Sequence, residues 1–189
     1  MSKCKSAGQT RIAIDFETSG SYEGCACALG MTKISDGCIQ DEFYTLIRPP
    51  SSRVLFSHIH GLFWKDLKAA PTFRDIWSNI ISFIGACDIL IAHNASFDRK
   101  VLLGCCKAFN LEFPSISFIC TLKGARKLLP LSSKSLNCVC EYLKIPLNHH
   151  NALSDARASS LIYLHLKSMG LPDKDMLLQS GYQKNGIGK

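Results

Sequence analysis

The sequence predicts an α/β domain built on a mixed five-stranded sheet flanked by helices. Three observations carry that reading. Residues 11–17 alternate apolar and polar side chains with the period of a strand. Two further apolar segments are joined by the hairpin signal Ser35-Asp36-Gly37. From residue 72 onward, strand-like and helix-like periods take turns. The resulting order, β-β-β-α-β-α-β-α-α-α without repeats or low-complexity linkers, describes one domain over residues 11–169. Residues 1–10 are expected to form a flexible N-terminus. Residues 170–189, polar and glycine-rich, are expected to form a loose C-terminal tail.

The first strand runs through Arg11-Ile-Ala-Ile-Asp-Phe-Glu-Thr18. Alternation sends Ile12, Ile14 and Phe16 to the core and brings Asp15 and Glu17 out on the same face. Cys25–Ile34 and Cys38–Ile47 supply the next two strands, and Arg48-Pro49-Pro50 ends the third. Residues 51–71 read as irregular. From Thr72, the stripe Phe73, Ile76, Trp77, Ile80 and Ile84 predicts a helix, with Thr72 and Asp75 spaced as a capping box. Asp88–Ala92 is too short for a helix and reads as a buried strand. A helix follows over residues 95–110, with Phe97, Val101 and Cys105 expected on its buried face. Ser115–Cys120 is the fifth strand. Helices over residues 121–129, 135–143 and 151–168 complete the domain, punctuated by Pro130 and Gly170.

Composition narrows the partners. With 47% apolar and 20% charged residues and no apolar run of membrane-spanning length, no membrane association is expected. The first ten residues lack the apolar stretch of a signal peptide, and a cytoplasmic location is expected. The ten cysteines include no Cys-x-x-Cys pair and sit mostly within apolar runs, so buried, reduced thiols are expected rather than a zinc site. The formal charge of +7 suits a polyanion such as nucleic acid.

Chemistry gathers at three places. Asp15 and Glu17 share a strand face, where two carboxylates repel unless they hold a cation or lie on a solvated edge. Asp98 opens a helix just after a buried strand, a position that also suits a purely structural carboxylate. Asp155 lies one turn into the last helix, preceded by His149 and His150. These elements belong to one sheet-and-helix domain, which could bring the four acids and one histidine to a single cleft.

Asp15-Phe-Glu17-Thr18, His60-Gly61-Leu62, His93-Asn94-Ala-Ser-Phe97-Asp98 and His150-Asn-Ala-Leu-Ser-Asp155 together resemble the DEDDh (DnaQ-like) family of 3′–5′ exonucleases, in particular the epsilon-type proofreading exonucleases of bacterial DNA polymerase III. The resemblance covers residues 11–168. A sister branch carries a tyrosine where this chain has Asn151, and His150 marks the histidine branch. The resemblance implies a ribonuclease-H-like fold and hydrolysis of phosphodiesters from a 3′ end to nucleoside 5′-monophosphates. It implies two Mg²⁺ (or Mn²⁺) ions, which in such mechanisms sit about 3.5–4 Å apart and clamp the attacking and leaving oxygens. Asp15, Glu17 and Asp155 would hold the ion that activates water, Asp15 would also bridge to the second ion, and Asp98 would assist through water. His150 would be the general base. The motif spacing assigns His149 to the surface.

The resemblance also brings Thr18 and His60 toward the terminal nucleotide. Phe63 or Trp64 would either stack on a base or, in the case of Trp64, cover the core. Arg99, Lys100, Arg126 and Lys127 would track phosphates or form solvated faces. DNA is favoured over RNA, with an RNA 3′-trimming enzyme of the same family as the alternative. A nucleic-acid-binding module without catalysis is the rival from another class. Only about twenty residues follow the last helix. A stand-alone nuclease is therefore expected, or one that edits for a DNA polymerase in trans.

Overall fold

The computed structural model describes residues 10–178. β1 (Arg11–Thr18) takes the centre of the sheet. β2 (Ala26–Ser35) and β3 (Cys38–Leu46) lie on one side of it, and β4 (Ile89–Ala92) and β5 (Ser117–Cys120) on the other. The pairs β1–β2 and β2–β3 are antiparallel, whereas β1–β4 and β4–β5 are parallel, which gives the expected mixed sheet. The β2–β3 hairpin turns through Asp36 and Gly37 at φ 53° and 78°. Positive φ at both central residues matches the right-handed twist of the flanking strands.

Helices cover both faces of β1. On one face Ile12, Ile14 and Phe16 pack with Phe73, Ile76, Ile80, Val101 and Leu102. Ile76 immediately precedes α3 (Trp77–Ile84), and Val101 and Leu102 belong to α4 (Ser96–Ala108). On the other face Ala13 joins a second cluster with Ala125, Val139, Ala158 and Ile162. These come from α5 (Thr121–Leu128), α6 (Leu136–Leu143) and α7 (Ala152–Ser168). The acidic face of β1 is therefore roofed by a helix layer, as parallel pairing with its crossovers requires, and it is not a solvated edge.

α7 fits closely because its sheet-facing residues are small. Ala152, Ala156, Ala158, Ser159 and Ser160 are all buried. The Thr32 and Ser160 hydroxyls hydrogen-bond at 2.6 Å between β2 and α7. The helix starts at Asn151, whose Oδ1 accepts from the Ser154 N–H at 3.1 Å.

Four local expectations are corrected. Residues 51–71 contain two single-turn helices, α1 (Ser57–His60) and α2 (Trp64–Leu67), each too short to leave a period in the sequence. The Thr72/Asp75 box does form, with the Thr72 N–H donating to Asp75 Oδ2 at 2.8 Å. It closes a turn ahead of the helix, which begins only at Trp77. Phe97 is 44% exposed. It lines a pocket at the start of α4, and the buried face of that helix is instead Asp98, Val101, Leu102, Cys105 and Cys106.

The expected loose tail packs as far as Leu178. Leu171 and Met176 are buried, the Leu178 N–H donates to the Phe118 carbonyl at 2.8 Å, and Asp173 accepts from Arg11 at 3.2 Å. A polar composition concealed two apolar anchors and an edge pairing to β5. Residues 179–189, and residues 1–9 of the expected flexible N-terminus, lie outside the described residues. Among the described residues the nine cysteines are free thiols, and no helix is long and apolar enough to cross a membrane.

Candidate active site

β1, α4 and α7 bring the sequence-predicted acids to one cleft. Glu17 and Asp155 are buried and Asp15 is partly exposed. One carboxylate oxygen from each of Asp15, Glu17 and Asp155 lies within 4.8 Å of the others. Asp98, also buried, sits beside this trio with its Oδ1 accepting from the Phe16 N–H at 3.1 Å. The topology explains that bond. β4 pairs with β1 only at Ile12 and Ala13, so Phe16 on that side has no strand partner and the first turn of α4 supplies one.

Electrostatics shows what the cluster can hold. Burial, and then the charges of Asp98, Asp155 and Glu17, push Asp15 well above the ordinary carboxylate range. Burial and Asp155 push Glu17 up to about 7. Burial raises Asp155 to about 6, against the opposing effect of the His150 N–H. Burial likewise raises Asp98, partly offset by the Phe16 N–H. Charged carboxylates crowded in a low-dielectric cleft call for a cation. Asp155 Oδ1 makes the same point by itself, since it is buried and no group of the protein hydrogen-bonds to it. Oxygen-only donors with an orphaned lone pair fit a hard divalent cation such as Mg²⁺ or Mn²⁺.

His150 is tied to this cluster through its backbone. It adopts a left-handed φ of 67°, and its N–H donates to Asp155 Oδ2 at 3.1 Å. Burial and the neighbouring His149 lower its basicity, while Asp155 opposes them.

His149 is exposed, as the motif spacing expects, and it also lies at the edge of the cleft. Its ring stacks on that of His150 at 3.9 Å, and its Nε2 lies 3.8 Å from Asp155 Oδ2. Ligand atoms of His149, His150 and Asp155 also fall within 4.8 Å of one another. Motif spacing picks one histidine of an adjacent pair and is silent on the other.

Of the expected nucleotide contacts, Thr18 and His60 meet at the end of β1. His60 Nδ1 accepts from the Leu62 N–H at 3.1 Å, so Nε2 carries the proton and donates to the Thr18 carbonyl at 3.2 Å. Burial lowers its basicity, which favours this neutral form. His60 thus fixes the end of β1 through its backbone. Phe63 is 50% exposed, next to Lys65 at 5.7 Å, and Trp64 is half-buried.

A pocket of about 410 Å³ adjoins Thr18, lined by Tyr22, Phe56, Phe97, Lys100 and Gly104 among others. Phe97 was missed as a pocket residue because an apolar residue on a helix reads as core.

Similarity to known proteins agrees with this geometry. The family model described as Exonuclease, of the RNase T type, matches residues 12–163. A DNA polymerase III PolC-type protein of Thermotoga petrophila is 35% identical over 167 residues, covering 85% of this chain and 12% of that protein. The DNA polymerase III subunit epsilon of Buchnera aphidicola subsp. Schizaphis graminum is 31% identical over 178 residues, covering 85% of this chain and 75% of that one. The chain thus spans about an eighth of the PolC-type relative and most of the epsilon subunit. Among solved structures, Exonuclease X in complex with 5′ overhanging duplex DNA superposes with a TM-score of 0.70 at 25% identity, covering 88% of this chain and 96% of that one. With a family model matching most of its length and its acids gathered on a sheet of this topology, the chain belongs to the exonuclease family of the RNase T type.

Proposed function

We propose that the chain removes nucleoside 5′-monophosphates from the 3′ end of DNA, with two Mg²⁺ or Mn²⁺ ions. The observation that carries this is the convergence of Asp15, Glu17 and Asp155 within 4.8 Å, together with a buried, partnerless oxygen of Asp155. Asp15, Glu17 and Asp155 hold the cations, and Asp98 assists through water. When bound, such ions offset the charge of the phosphodiester and acidify water. His150 accepts the proton of the attacking water, a role open to a neutral imidazole near neutral pH. Thr18, steadied by His60, positions the terminal nucleotide, and the exposed Phe63 offers a face to a base. DNA is the proposed substrate, and a DNA polymerase the proposed partner, because the relatives named above are a DNA polymerase III PolC-type protein and a DNA polymerase III subunit epsilon.

The test uses 5′-labelled single-stranded DNA and RNA of matched sequence with Mg²⁺, Mn²⁺ or EDTA, beside Asp15→Asn. The expected result is a ladder shortening from the 3′ end, faster on DNA and abolished by EDTA and by the substitution. Binding without cleavage in either metal would overturn the catalytic reading.

A further inference from the structure

We propose that a groove beside His93 binds backbone phosphates of the nucleic acid beyond the nucleotide being removed, with Arg126 and Lys134 as its cations. This rests on the nuclease reading of the acidic cleft. The groove has a volume of about 490 Å³. Asn94 and the hydroxyl-bearing Ser132, Ser133 and Ser135 line it together with the two cations, and no carboxylate is among its lining residues. Such a mixture of cations, hydroxyls and an amide is what phosphate oxygens select, without regard to base sequence. An acidic cleft repels a polyanion, so affinity for a long substrate has to come from cations placed beside it.

The structure separates the basic residues near the motifs. Lys127 is paired with Asp175 at 3.2 Å. Arg99 lies over the Phe113 ring at 5.9 Å. Lys100 borders the Phe97 pocket, whose mostly apolar walls suit a base better than a phosphate. Arg126 is exposed and, like Lys134, forms no ion pair with a carboxylate among the described residues; the half-buried Lys134 donates its ammonium to the Leu131 carbonyl, which leaves its other N–H donors for a phosphate.

The groove is also fixed relative to the catalytic groups. The His93 ring forms its wall, with Nδ1 bonded to Thr121 Oγ1 at 2.9 Å and Nε2 to the Lys134 carbonyl at 2.8 Å. One side chain thereby ties the Lys134 loop to the end of β4, just ahead of the helix that carries Asp98.

The test compares the full chain with Arg126→Gln, Lys134→Gln, their double variant, Arg126→Lys and the control Lys127→Gln. Substrates are thymidine 5′-(p-nitrophenyl phosphate), single strands from a dinucleotide upward, and a duplex with a recessed 3′ end. The mononucleotide ester reaches only the catalytic cleft. The double variant is expected to lower the ratio of kcat/KM for long strands to that for the ester by about ten-fold or more at low salt, mainly through KM. The dependence of log KM on log salt should flatten by about 0.7 per lost contact on single strands. Arg126→Lys should restore most of the loss, and Lys127→Gln should leave the ratio where it was.

Loss already present on single strands assigns the phosphates to the strand being cut, and loss confined to the duplex assigns them to its complement. Either supports the groove. An unchanged ratio, or equal loss on ester and long strands, overturns it. Failure of the unsubstituted protein to cleave any substrate overturns the nuclease reading instead.

Discussion

A Cβ on Gly30 would lie 2.3 Å from the carbonyl carbon of Ala152. Gly30 is the cross-strand partner of Asp15, and Ala152 opens the helix that carries Asp155. The missing side chain on β2 is thus what lets α7 descend until its carboxylate meets those of β1. The first prediction follows from that contact. Gly30→Ala should force the start of α7 off the sheet, at a cost of about 1–3 kcal/mol, and should move Asp155. Mn²⁺ titration by calorimetry should show affinity falling at least about ten-fold, a loss typical of mispositioned ligands, with nuclease activity falling in parallel. Wild-type metal affinity in a folded Gly30→Ala protein would contradict this account.

Metal removal should expose the cost of the acidic cluster. Glu17 is ordinarily near 4.5 and is pushed to about 7, and Asp155 is ordinarily near 3.8 and is pushed to about 6. Between those values the folded chain holds more protons than the unfolded chain, so raising the pH favours unfolding. This contribution is whole below about pH 4 and is lost as pH climbs through about 6–7. In EDTA, Tm should therefore fall across that window, and saturating Mg²⁺ should flatten the fall. A metal-free Tm that stays level or rises there would refute the reading.

The two stacked histidines should separate kinetically. His150→Ala is expected to lower kcat by about 10²–10⁴-fold, the usual range for a general base. His149→Ala removes only a stacking neighbour and a more distant contact to Asp155, and is expected to cost less than about ten-fold. Single-turnover rates at saturating metal decide it. Reversal of that order would transfer the base to His149.

Phe97 tests the sequence expectation against the structure. A core phenylalanine cut to alanine loses about 3–5 kcal/mol. Phe97 is 44% exposed at the mouth of a pocket, and Phe97→Ala should cost well under half of that in chemical denaturation. KM for oligonucleotides should rise instead, because a stacked base is worth about 1–3 kcal/mol. A large stability loss with unchanged KM would restore the core assignment.

Much of this molecule was legible because the signals are local. The alternation over Arg11–Thr18 both forms β1 and puts Asp15 and Glu17 on one face. The Asp36-Gly37 turn and the Asn151 start of α7 are equally short-range. The harder elements leave little local trace. The single-turn helices at Ser57–His60 and Trp64–Leu67 are shorter than one apolar period. Leu171 and Met176 are anchors only because β5 and α5 lie beneath them. His149 resembles any loop histidine until its ring is seen against His150.

The sequence by itself determined the order of the strands and of the longer helices, the mixed sheet, and which acids converge, since each depends on side-chain period or motif spacing within a few residues. Tertiary structure alone decided that Asp98 would be held by the Phe16 N–H, that Gly30 would admit α7, and that Arg126 rather than Lys127 would line the groove beside His93. Those outcomes turn on which atoms meet across the sheet. Residues 82 apart in sequence, such as Phe16 and Asp98, come within hydrogen-bonding distance only once the whole chain has packed.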